Sequence, residues 1–170
     1  MKTLVISLSI LLLISSCQEQ SKETQFDKQG VSFTIPAGWK GIDEEDLGGG
    51  YSISIEKEGM DESGLVSISW VDLEIELDEW AQVFKDEMRS SWNTSVSNSS
   101  FSAVKDGTYS GIPTRSVTYK ATLLGLKHTG TIHVFYEGGK SFGVIVQEAI
   151  EDKADNKEGF RMIEKSFKVE

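Results

Sequence analysis

Gly139-Lys140-Ser141-Phe142-Gly143 matches the G-x-S-x-G spelling that surrounds the nucleophile of many hydrolases. That chemistry needs a strand before the serine and a helix after it, because only a sharp turn lifts the hydroxyl clear of the sheet. Here Glu137-Gly138-Gly139-Lys140 reads as a hairpin turn, and the apolar residues after Ser141 read as a strand. Ser141 is therefore expected to open a strand. Gly139-Lys140-Ser141 also spells the end of a phosphate-binding loop, but the glycine required five positions earlier is Val134. His128 and His133 are the only histidines; five apart on one strand, they face opposite sides and cannot share a metal ion. No local feature supports a Ser–His–carboxylate assembly drawn from distant segments.

Carboxylates cluster in three stretches, Asp43-Glu44-Glu45-Asp46, Glu74 to Glu79 and Glu148 to Asp155. The first runs into Gly48-Gly49-Gly50 and is expected to form a flexible loop. Calcium requires about six to eight oxygens held together. A calcium loop starting at Asp43 fails, with Leu47 at a ligand position and Ser54 where the closing glutamate belongs. Solvated surface is the expected role, with a weak cation or basic-partner site at 43–50 as the alternative. Trp39, Trp70, Trp80 and Trp92 are expected in packing; Trp92, at a helix end, is the best aromatic candidate for a binding surface.

The residue with the clearest chemistry is Cys17, the only cysteine. Lys2 precedes an apolar run from Leu4 to Ile14, too short to span a bilayer but suited to a secretory signal. The run ends in Leu13-Ile14-Ser15-Ser16-Cys17, which resembles a bacterial lipobox. The resemblance implies a diacylglyceryl group on the Cys17 sulfur, cleavage just before it, and acyl chains such as palmitate on the product. Two or more chains anchor a protein stably, since each buried CH₂ contributes about 0.8 kcal/mol. Loss of residues 1–16 removes only Lys2, taking the formal charge from −10 to −11. So acidic a domain is repelled by phosphate backbones and anionic headgroups, which argues against nucleic acid as a partner and for a domain that stands off its membrane. A single, lipidated cysteine leaves no internal disulfide, so the fold rests on its core.

These residues need positioning elements. Gln18 to Gln29 is almost wholly polar and is expected to be a tether reaching roughly 20 Å. Alternation predicts strands at Val31–Ile35, Tyr51–Glu56 and Leu65–Leu73. Leu77, Trp80, Ala81, Phe84 and Met88 then recur at helical steps, predicting a helix over 79–92 with Asp78 as its cap. A polar loop at Asn93–Ser100 and strands at 101–109, 114–124, 129–136 and 141–150 follow, the last two apolar on both faces and hence central. A helix over 154–165, with Gly159 inside it, closes the chain. The expected class is α+β, a central, largely antiparallel sheet flanked by helices. The domains are a signal peptide at 1–16, lipidated Cys17 and tether at 17–29, and one globular domain at 30–170.

Four segments carry a resemblance to the PsbP-like family, which includes an extrinsic photosystem II subunit, a yeast nuclear-import factor and bacterial lipoproteins of the DcrB type. They are Val31-Ser32-Phe33-Thr34-Ile35-Pro36-Ala37-Gly38-Trp39, the helix around Trp80, Phe84 and Met88, the turn at Gly138-Gly139, and Phe160-Arg161-Met162-Ile163-Glu164-Lys165-Ser166-Phe167. The resemblance implies an α-β-α sandwich. It brings no functional residue with it, and nothing in the chain points to photosynthesis.

The expectation is a non-enzymatic, lipid-anchored envelope protein, without catalytic residues, cofactor or metal, that binds an envelope protein or assists assembly. The contact surfaces expected are 43–50 and 93–100. A small ligand or cation held between sheet and helix is the alternative, and a hydrolase a third reading. Gln18 after the cysteine, in place of Asp, favours the outer over the inner membrane and leaves surface exposure open.

Overall fold

The computed structural model describes residues 21–59, 62–92 and 96–170. In chain order, β1 (Thr24–Lys28), β2 (Val31–Ile35), β3 (Trp39–Asp46), β4 (Gly50–Lys57) and β5 (Leu65–Val71) precede the helix α1 (Leu77–Ser91). Then come β6 (Val96–Phe101), β7 (Lys105–Tyr109), β8 (Ile112–Leu123), β9 (Leu126–Glu137) and β10 (Lys140–Ala149). A 3-10 turn at Ile150–Asp152 leads into α2 (Lys153–Ser166), and β11 (Lys168–Val169) follows. The large sheet has the order β3-β4-β5-β10-β9-β8-β6, with β7 also on β8, and β1-β2-β11 make a small one. All pairings are antiparallel. This is the expected α+β architecture, and β9 and β10 are central as their two-faced apolarity requires.

The two faces are covered differently. Small sheet and α2 seal one, where Phe26, Phe33, Trp39, Trp70, Phe135, Phe142, Ile163 and Phe167 form one cluster. Phe142 stacks on Phe135 at 4.9 Å and meets Phe167 edge-on at 5.5 Å. A Cβ at Gly159 would lie 2.5 Å from the Trp39 ring, so the glycine that weakens the α2 pattern is what lets the helix close on Trp39. On the other face α1 packs on β8, β9 and β10. Its Phe84 ring occupies the space a side chain at Gly143 would fill. The β4–β5 part of this face stays open and carries half-buried Ser52, Ser54, Ser67 and Ser69, with Ser54 and Ser67 hydroxyls 2.5 Å apart.

Several expectations are corrected. Thr24–Lys28 belongs not to a tether but to β1, because Phe26 is buried and stacks on Phe33 at 4.6 Å. Asp43–Asp46 is not a loop: it is part of the edge strand β3, its charges outward, which protects a free edge from pairing. Helix α1 starts earlier than expected because the Glu76 carboxylate, not Asp78, caps it, accepting from the amides of Asp78 and Glu79. The expected loop 93–100 contains β6 from Val96 onward, paired with β8; residues 93–95 lie outside the described residues. The single strand expected at 101–109 is two, interrupted after Phe101. The signal segment, Cys17 and Gln18 also lie outside the described residues.

Candidate functional site

Helix α1 is amphipathic but narrower than the face beneath it. Between its edge and the bare part of β5 and β10 lies a groove of about 350 Å³. Phe84, Met88, Trp92, Leu65 and Ile145 give it an apolar floor; Ser67, Glu87, Ser91 and Gln147 supply polar groups. Trp92, the C-cap residue of α1, is held by stacking on Phe101 at 5.2 Å and an edge contact with Tyr119 at 5.4 Å. The Tyr119 hydroxyl donates to Gln147 Oε1 at 2.9 Å, which fixes that amide in the groove wall. Trp92 thus packs and lines the groove at once. An apolar floor with a few oriented polar groups suits an apolar side chain or a small molecule.

The other sequence candidates fall elsewhere. Ser141 is wholly buried in β10; its Oγ donates to Leu73 O at 2.6 Å and accepts from the Ile75 amide at 2.9 Å, pinning the connection between β5 and α1. Glu44 of the first acidic stretch takes a hydrogen bond from the Tyr51 hydroxyl, which pushes the phenol up to about 12, and stands 3.8 Å from Lys28 Nζ. Asp46 accepts from Gly48 N at 2.8 Å. These carboxylates are engaged in the edge of the sheet, and among the described residues no three His, Cys, Asp or Glu side chains form a metal-binding group. In the third stretch Glu148 is buried, and burial raises its carboxyl above the usual range, while the neighbouring Asn156 amide eases the shift without an ordinary hydrogen bond.

The histidines do lie on opposite faces. His128 shares the α1 face with Ile132 and Val134, whereas His133 points with Phe135 toward the sealed side. Register brings Ser116 opposite His133, with Oγ 3.0 Å from Nδ1, and Thr114 Oγ1 lies 2.7 Å from the same serine oxygen. Sequence reasoning missed this knot, since only the β8–β9 turn fixes the register. Ser116 and Thr114 are buried, and no carboxylate among the described residues hydrogen-bonds His133. The Ser116 backbone sits between β7 and β9, in ladders on both sides. Burial lowers the imidazole to about 4, so it is neutral near pH 7. The arrangement is a hydrogen-bonded core group, without the freed amides and orienting carboxylate that acyl transfer uses.

No family model matches the chain, and no curated protein does. Solved structures do. The chain is similar to the solution structure of cyanobacterial PsbP (CyanoP) from Synechocystis sp. PCC 6803, with a TM-score of 0.62 and 14% identity over 88% of this chain and 94% of that one. It is also similar to the crystal structure of LpqN, involved in cell envelope biogenesis of Mycobacterium tuberculosis, with a TM-score of 0.53 and 12% identity over 87% and 90%. The fold is PsbP-like.

Proposed function

We propose that this chain is a lipid-anchored protein of the bacterial envelope, of the DcrB type, that binds a protein partner at the membrane surface and is not an enzyme. The groove beside α1 carries the reading: apolar floor, polar rim, and a tryptophan held in place by its neighbours. The lipobox-like residues ending at Cys17 support the anchor, and the fold shared with an envelope-biogenesis protein supports the compartment. Gln18 favours the outer membrane. A small ligand is the second reading, because about 350 Å³ falls within the range of small-molecule sites.

Mass spectrometry of the native product tests the anchor, with a diacylated, acylated Cys17 as the expected N-terminus. A photo-crosslinking residue at Met88, in cells, tests the groove. One recurring envelope protein is expected, lost when Ser67→Arg fills the groove and lost in the mislocalised Cys17→Ala chain. A lipidated protein that gives no recurring product overturns the partner reading; a small-molecule mass retained in native spectra would replace it with the second.

A further inference from the structure

Four hairpins turn on two residues with positive φ, the geometry of type I′ turns: Gln29-Gly30, Ser110-Gly111, Leu124-Gly125 and Gly138-Gly139. Three place a polar residue or glycine first. The fourth places Leu124, at φ +49, with 89% of its surface exposed. A leucine there is unfavourable twice, in a left-handed backbone and in water. Strain of that kind persists where something else uses it. On the same end stand exposed Leu126 and Ile150, the latter one residue past Ala149, which pairs with His128, and Leu123 lies beside Val96.

The position of this tip gives the reason. One row of the sheet runs Glu56, Leu65, Gln147, Gly130, Tyr119. Beyond it on the same side lie the β8–β9 tip and Ser21, the first described residue, held by Glu58 Oε2 at 2.9 Å, Trp39 O at 2.8 Å and Gly38 N at 2.9 Å. At roughly 3.3 Å per residue, Leu124 projects about 16 Å past the row and Glu58 about 7 Å. From Ser21 back to Cys17 the chain spans at most about 14 Å. With β1 taken into the fold, the leash is much shorter than a twelve-residue tether. We propose that the tip Leu123–Leu126, with Ile150, rests in the outer part of the bilayer that holds Cys17, so that this end of the sheet faces the membrane. Lys120 and Lys127 stand near the tip, but Glu151 and Asp152 lie beside His128, so the local charge is mixed and the match is to zwitterionic headgroups. The domain then lies against its membrane, not away from it. The inference rests on Cys17 being lipidated.

The test uses the full lipidated chain in phosphatidylcholine nanodiscs, with a fluorophore at Lys127→Cys or at Glu137→Cys, opposite ends of β9, and nitroxide-labelled lipid as quencher. Quenching is expected at 127 and not at 137. Leu124→Asn places the residue this turn prefers, so the melting temperature should hold or rise while quenching at 127 falls to the level at 137. Equal quenching at both ends, or quenching at 127 unchanged by Leu124→Asn, overturns the inference and leaves the lipoprotein reading intact. If mass spectrometry finds Cys17 unlipidated, that reading fails on its own, and pelleting of the unlipidated protein with phosphatidylcholine vesicles decides about the tip. A loss of roughly tenfold or more in Leu124→Asn keeps it; no binding by the parent chain removes it. Self-association abolished by Leu124→Asn without quenching assigns the tip to a second copy and overturns the membrane contact.

Discussion

The two faces of the large sheet are built from the same strands and finished in opposite ways. On the sealed side, aromatic rings run from Phe26 through Trp70, Phe142 and Phe135 to Tyr109, each in contact with the next. On the α1 side one helix covers part of the surface, and serines alternate along the rest. An antiparallel sheet tolerates water on one face, so the second side can stay partly open, as the binding surface proposed above requires, while the first carries the larger core. The lesson is a division of labour that can be read from which face a residue points to.

The largest effect should come from the sealed face. Phe142→Ala removes a fully buried ring that touches Trp70, Phe135 and Phe167, and is expected to cost about 3–5 kcal/mol in chemical denaturation. A smaller cost would mean that the two faces share the load. The next is Gly143→Ala, the neighbouring residue facing the other way. Its methyl meets the Phe84 ring and should displace α1, costing about 1–3 kcal/mol, with the tryptophan fluorescence of the groove shifted. Loss of stability without that shift would break the link between α1 seating and groove shape.

The smallest effect is on pH. His133 is pushed down to about 4 by burial, and burial also lowers His128 despite Asp152 and Glu151 nearby. An imidazole with a lowered folded value stays neutral while the unfolded chain takes up a proton. For His133 the contribution is present above about pH 6.5 and is lost as pH falls toward about 4, and for His128 it is lost in the same direction, each with a slope below about 1.4 kcal/mol per unit. His133→Asn should flatten more of that slope than His128→Asn. The reverse order, read from melts across this window, would contradict the deeper burial of the sealed face.

The strands at 31–35 and 65–71, both helices and the central place of β9 and β10 were legible because alternation and helical spacing report burial directly. β1 was not, since a single Phe26 in a polar stretch carries no periodicity and is recruited by Phe33 across the hairpin and by Tyr51 and Trp70 of distant strands. The acidic edge reads as a loop for a related reason: Asp43–Asp46 have no buried face, and an edge strand is stabilised through its backbone, which composition does not record. Trp92 was legible as a helix-end aromatic. The remaining groove wall, Ser67, Ile145 and Gln147, comes from strands far apart in the chain and becomes visible only with the sheet order. The lipid site proposed at Cys17 lies outside the described residues and rests on the sequence.

The short pairing of Lys168 and Val169 with Ser32 and Val31 ties the beginning of the small sheet to residues nearly 140 positions later, near where Glu170 N donates to Gly30 O. Loop closure over that separation comes late in folding. A chain lacking Lys168 and Val169 keeps every strand of the large sheet but leaves the edge of β2 at Val31 and Ser32 unpaired. Two residues of pairing therefore decide whether the small sheet presents a covered edge or a free one.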